Sequence, residues 1–178
     1  MNTSAFSIID VAKQEFIGAV VVDEPERGAA GIWSIVCNDE TLFITHSGTH
    51  EISVIDHKAM LDKFLNYPNK SMLDYDLRFL YGLRKRIPLE GNGPRKMIME
   101  NGKLYIPTYF ADILNIVDAQ TCEIATANLN PDREESAENK GERYFNDASH
   151  CFQNWQSCNG CHPGDARTDG MNWDLMND

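Results

Sequence analysis

Apolar and polar positions alternate with a period of two along much of the first 130 residues, the pattern of half-buried strands. Gly31-Ile-Trp-Ser-Ile-Val36, Thr41-Leu-Phe-Ile-Thr-His46 and Glu51-Ile-Ser-Val-Ile-Asp56 read as strands separated by the turns Asn38-Asp-Glu and Ser47-Gly-Thr-His50. A second set follows: Arg95–Glu100, Lys103–Thr108, Ile113–Asp118 and an outer strand from Glu123 to Leu129. Asn101-Gly102 between the first two of these suits a two-residue hairpin, because both residues accept positive φ. Residues 71–84 change period. Leu73, Leu77, Leu80 and Arg84 fall at helical spacing behind Ser71-Met-Leu-Asp74, which predicts a capped amphipathic helix inside an insertion of about 66–90. Beyond Pro131 the chain turns polar, and Ala137, Gly141, Tyr144, Phe145 and Ala148 then mark a second amphipathic helix.

Three strands end alike, in Phe6-Ser-Ile-Ile-Asp10, Ile52-Ser-Val-Ile-Asp56 and Leu114-Asn-Ile-Val-Asp118. Their spacings of 46 and 62 residues suit a four-stranded propeller blade with an insertion in one repeat. The aspartates are turn formers, their carboxylates accepting backbone N–H bonds. These units resemble the YVTN-type β-propeller repeat family over about residues 4 to 130. The expected fold is therefore mainly β, a partial β-propeller of about two and a half four-stranded blades over 1–130, followed by a short α-helical c-type haem-binding segment over 131–178.

That last expectation rests on Ser157-Cys158-Asn159-Gly160-Cys161-His162-Pro163. A C-x-x-C-H run suits covalent haem attachment, with two thiols adding to the vinyl groups and the next histidine ligating iron. Two cysteines three positions apart share one face of a helical turn, so one porphyrin edge can be held at both. Cys158 and Cys161 are the thioether candidates and His162 the proximal axial ligand. For the sixth position the chain offers Met171, Met176 or His150. A zinc site from Cys151, Cys158, Cys161 and His162, or a redox dithiol at Cys158 and Cys161, are the alternatives. The surroundings, Gly141-Glu-Arg-Tyr-Phe-Asn-Asp and Arg167-Thr-Asp-Gly, resemble the first haem segment of the di-haem cytochrome c peroxidase family. Tyr144 stands where that family usually has leucine. The resemblance implies haem c, electron transfer and a peroxidase-like oxidoreductase incomplete in this chain, with 131–178 as the N-terminal part of a truncated cytochrome c-like domain. For the sixth position it implies a ligand further downstream, beyond residue 178, rather than Met171, Met176 or His150. The other reading is a surface or periplasmic propeller that binds a partner and carries an accessory haem.

Composition narrows the partners. The chain of 178 residues is 42% hydrophobic and 24% charged, with a formal net charge of −11. That composition is globular, and that charge disfavours nucleic acid and anionic membranes while suiting a basic redox protein. No apolar run is long enough to span a membrane. The first residues lack the features of a signal peptide, whereas haem c attachment implies an extracytoplasmic location, so the chain is expected to be part of a longer exported protein. The remaining cysteines, Cys37 and Cys122, sit in apolar runs and read as buried thiols. His46, His50 and His57 flank one hairpin and read as solvated turn residues. The one basic cluster, Arg84, Lys85, Arg86, Arg95 and Lys96, reads as a helix C-terminus, or as the source of an arginine for a haem propionate.

Overall fold

The computed structural model describes residues 3–163. It contains three small antiparallel sheets rather than a ring of blades. The first pairs β1 (Ala5–Asp10) with β2 (Glu15–Val21). A four-stranded meander follows, of β3 (Ile32–Cys37), β4 (Thr41–His46), β5 (Glu51–Asp56) and β6 (Arg84–Pro88). The third sheet runs β7 (Ile98–Glu100), β8 (Lys103–Pro107), β9 (Ile113–Asp118) and β10 (Ile124–Asn128). The middle sheet is sandwiched. Alternation in β4 sends Leu42 and Ile44 into one core with Val20, Val22, Met60 and Phe64. Phe43 points the other way, into a second core with Ile52, Leu104, Ile106 and Val117.

The expectation of a partial β-propeller ending in a helical haem-binding segment is thus corrected. The described sheets are open and of two, four and four strands. The C-terminal part is one ten-residue helix, α3 (Ala137–Asn146), which buries no residue, then short turns. A helix without a buried stripe cannot form a core of its own.

Two helical expectations also move. The insertion holds α1 (His57–Leu65), which starts directly at the end of β5, and the four-residue α2 (Lys70–Leu73). Asp56 is the reason for the first: its carboxylate accepts from the Ala59 N–H at 2.9 Å, making a strand-end aspartate into a helix cap. Met60 and Phe64, one turn apart, bury the helix, with Phe64 edge-on to Phe79 at 6.5 Å. Ser71 and Asp74 form no capping box; Asn69 precedes α2 and makes no side-chain cap. The basic cluster is a strand. Arg84 and Arg86 occupy alternate positions of β6 and share one face.

Local turn chemistry follows the sequence. Asn101 and Gly102 have φ of 49° and 74° between β7 and β8. Asp10 accepts from the Lys13 N–H and Asp118 from those of Gln120 and Thr121. The thiols depart from it. Cys37 is exposed, because it continues the outward alternation of Trp33 and Ile35, and Cys122 is half-buried in a turn at φ 63°.

Candidate functional site

The motif residues lie on a single helical turn, α4 (Cys158–Cys161), whose end is closed by the His162 N–H donating to the Cys158 carbonyl at 2.9 Å. The turn therefore brings both thiols together. Cys158 is exposed and its thiol free; Cys161 is half-buried and donates to Gln156 Oε1 at 3.7 Å. His162 is half-buried beside them. Cys151 joins the group electrostatically. Burial pushes its thiol up, and the nearby Cys158 and Cys161 add to that shift.

What holds this turn in place comes from far earlier in the chain. Trp155 and Ser157 are buried, and the Gly28 N–H donates to the Gln153 carbonyl at 2.8 Å. A Cβ at position 28 would stand 2.3 Å from Trp155 Cα, so only glycine permits the approach. The Ala148 N–H donates to the Gly48 carbonyl at 2.9 Å. His50 reinforces the seam. Its Nδ1 accepts from the Gly93 N–H at 3.0 Å, and its Nε2 lies 3.1 Å from Asp147 Oδ1, too poorly aligned for a full hydrogen bond. Burial raises the Asp147 carboxyl, but hydrogen bonds from Ser149 and the charge of His50 outweigh it and hold the group below the usual range. His150, the described candidate for a sixth ligand, is exposed, edge-on to Tyr144 at 5.2 Å and 3.7 Å from Asp147 Oδ2. Met171 and Met176 lie outside the described residues.

Gly28 also connects the motif segment to a buried ionic network that the sequence reading did not anticipate. Arg86 donates to the Gly28 carbonyl at 2.5 Å and through Nε to Glu51 at 3.0 Å. Arg27 reaches the other Glu51 oxygen at 3.0 Å, and Arg84 pairs with Glu24 at 2.5 Å. Inside this cluster His46 is fully buried, correcting its reading as a solvated residue. Its Nε2 meets Ser53 Oγ at 2.8 Å and its Nδ1 the Ala29 carbonyl at 3.0 Å. Burial, and then the charge of Arg86, depress its pKa to about 3, so it is neutral. Because Nδ1 faces a carbonyl, that nitrogen carries the proton. His50 is largely buried too, in the seam just described, and His57 opens α1. The missed signal was alternation: Arg84 and Arg86 share a strand face with an acidic partner strand position, Glu51.

The chemistry of the donor set decides what it can hold. Among the described residues no group of three or more His, Cys, Asp or Glu side chains is arranged to hold a metal ion, so Cys151, Cys158, Cys161 and His162 do not make the tetrahedral zinc site. Two thiols on one turn, one of them exposed, with a histidine next in line, do fit covalent attachment of a porphyrin edge. Enclosure is a different matter. The cleft beside α4, between Ser4, Ala30, Gly31, Trp155, Asn159 and Gly160, measures about 190 Å³, below the roughly 300 Å³ at which ligand pockets begin. A larger cleft, about 710 Å³ near Thr41, Asp56 and Lys85, shares no residue with the motif turn. No helix among the described residues is long and apolar enough to cross a membrane.

No protein-family profile and no curated protein matches the chain. Among solved structures it is similar to Hsv2 of Kluyveromyces marxianus, with 13% identity and a TM-score of 0.38, over 71% of this chain and 30% of that one. Hsv2p of Kluyveromyces lactis gives 15% identity and a TM-score of 0.39, over 74% and 33%. The chain spans about a third of the length of these structures.

Proposed function

We propose that Cys158 and Cys161 attach a c-type haem covalently, that His162 is its proximal iron ligand, and that the chain serves electron transfer outside the cytoplasmic membrane. One observation carries the reading: the C-x-x-C-H spacing falls on one helical turn, with the first thiol exposed. The haem supplies one-electron chemistry at iron, and the protein's own part is to orient the histidine and set the charge around the group. His162 needs little help from the fold, since attachment at Cys161 delivers it to the metal at high effective concentration. A net charge of −11 favours a basic redox partner. The resemblance of residues 141–178 to the first haem segment of di-haem peroxidases extends the proposal to a peroxidase-like oxidoreductase, which requires a second C-x-x-C-H in the complete protein.

The test is to export the chain in a host equipped for haem c maturation and to read haem staining on a denaturing gel with a pyridine haemochrome spectrum. Stained protein whose spectrum reports two thioethers is expected, and Cys158→Ala or Cys161→Ala should lose one linkage each. His162→Ala should change the spin state of whatever haem remains. Colourless wild-type protein would discard the reading in favour of a dithiol.

A further inference from the structure

Three arginines of the basic cluster entered the sequence reading as propionate candidates, and the structure separates them. Arg84 and Arg86 are committed to Glu24 and Glu51 inside the buried network. Arg95 is mounted differently. Its guanidinium carbon stands 3.5 Å from the Tyr109 ring centroid, 4.5 Å from that of Trp33 and 5.4 Å from that of Phe110. Its backbone carbonyl accepts from the Thr45 hydroxyl at 2.7 Å, so the residue is fixed at both ends. Aromatic faces hold the cation without using its donors, which leaves the planar fork available for a carboxylate.

The available acid is a poor one. Glu142 Oε1 on α3 stands 3.7 Å from Arg95 Nη2, on a half-exposed side chain, and Arg95 Nε is buried with no hydrogen-bond partner. A buried donor left unpaired is costly, and a carboxylate arriving along the fork would relieve it. The surface around the cation is apolar and open: Trp33 is 50% and Tyr109 49% exposed, with Ile35 and Ile98 exposed nearby. Two links run from it toward the motif. Gly31, two residues before Trp33, lines the same cleft as Asn159 and Gly160 of α4, and α3 packs against α4.

We infer that Arg95, held between Trp33 and Tyr109, binds a propionate of the haem attached at Cys158 and Cys161. The inference rests on the haem reading above. The cleft at α4 is too small to enclose a porphyrin, so the group needs an outer surface, and this platform supplies apolar faces for the ring system with one cation for its acidic edge. Glu142 marks the place that the propionate takes.

A cation beside the haem favours the reduced state, which carries one positive charge fewer, and an anion disfavours it. In the matured full chain, Arg95→Gln should therefore shift the reduction potential downward, Arg95→Lys less so, and Glu142→Gln upward. A further readout separates binding from simple support of the fold. Without Arg95 the propionate ionises at higher pH, so the potential of Arg95→Gln should acquire a pH dependence in the mildly acidic range where the parent is flat. Haem staining is scored first. If haem attaches and all three variants keep the parent's potential and pH profile, the inference is overturned while the attachment reading stands. If wild type attaches no haem, the reading itself fails and the inference with it. Should Arg95→Gln not fold, Arg95→Lys and the helix-surface change Glu142→Gln still decide.

Discussion

The sheet body and the C-terminal segment use polar groups in opposite ways. The body takes them inside: Glu51, His46, Asp23 and the heads of Arg84 and Arg86 are almost wholly buried, each with partners. The C-terminal segment leaves most of them outside, burying only Asp147 and Ser157 among its described polar residues. α3 buries nothing, and the segment meets the body at contacts that include Glu142 with Arg95, Asp147 with His50, Ala148 with Gly48 and Gln153 with Gly28. Buried charges repay their desolvation only when their partners are well placed, and the segment is laid on a body that holds such a paired network.

The largest effect should come from breaking that network. Glu51→Ala leaves Arg86 and Arg27 facing a hole and should cost about 3–5 kcal/mol in denaturant unfolding, as for other buried pairs that lose one member. A loss under 1 kcal/mol would mean that the network is not a support. The next is acid. His46 has its pKa lowered from 6.5 to about 3, so the unfolded chain binds the proton that the folded chain refuses. Its contribution is intact above pH 6.5 and is lost as pH falls from there toward 3, at up to about 1.4 kcal/mol per pH unit. His46→Gln should flatten that slope. Opposing it, burial raises the Asp23 carboxyl, whose own contribution runs the other way, so the comparison must be made as a difference between the two proteins.

Gly28→Ala probes the seam itself. The clash with Trp155 should cost roughly 1–3 kcal/mol, expressed as release of the segment: limited proteolysis around residues 131–136 should accelerate while the sheets stay protected. Uniform destabilisation of both regions would show that they are not separable. The smallest change is Gly102→Ala at φ 74°, expected to cost about 1 kcal/mol and to leave the segment untouched.

Legibility divided along the same line. Strands β4, β5 and β9 and the Asn101-Gly102 hairpin were readable because period-two alternation and positive-φ residues are local signals. α1 was not, since only Met60 and Phe64 mark its apolar face and its cap, Asp56, also ends a strand. The buried network was invisible because charged residues are read as surface until their partners are known, and Glu24, Glu51 and Arg86 meet only in space. At the site, the Cys158, Cys161 and His162 spacing was plain. The Arg95 platform was not, because Trp33, Arg95 and Tyr109 come from three separate segments.

The Gly28 contact has one more consequence, and it concerns time. Gln153 and Trp155 are made about 125 residues after Gly28, so the loop that carries Arg27 and Gly28 waits for its partner while those residues are added. At elongation rates of about 5–20 residues per second, that is an interval of about 6–25 seconds. During it the cysteine turn does not yet exist, and after it the turn must close a loop of about 125 residues before it docks. For the proposed haem attachment, the undocked segment is the form in which an attaching enzyme would meet both thiols unhindered, with docking as the step that ends its access.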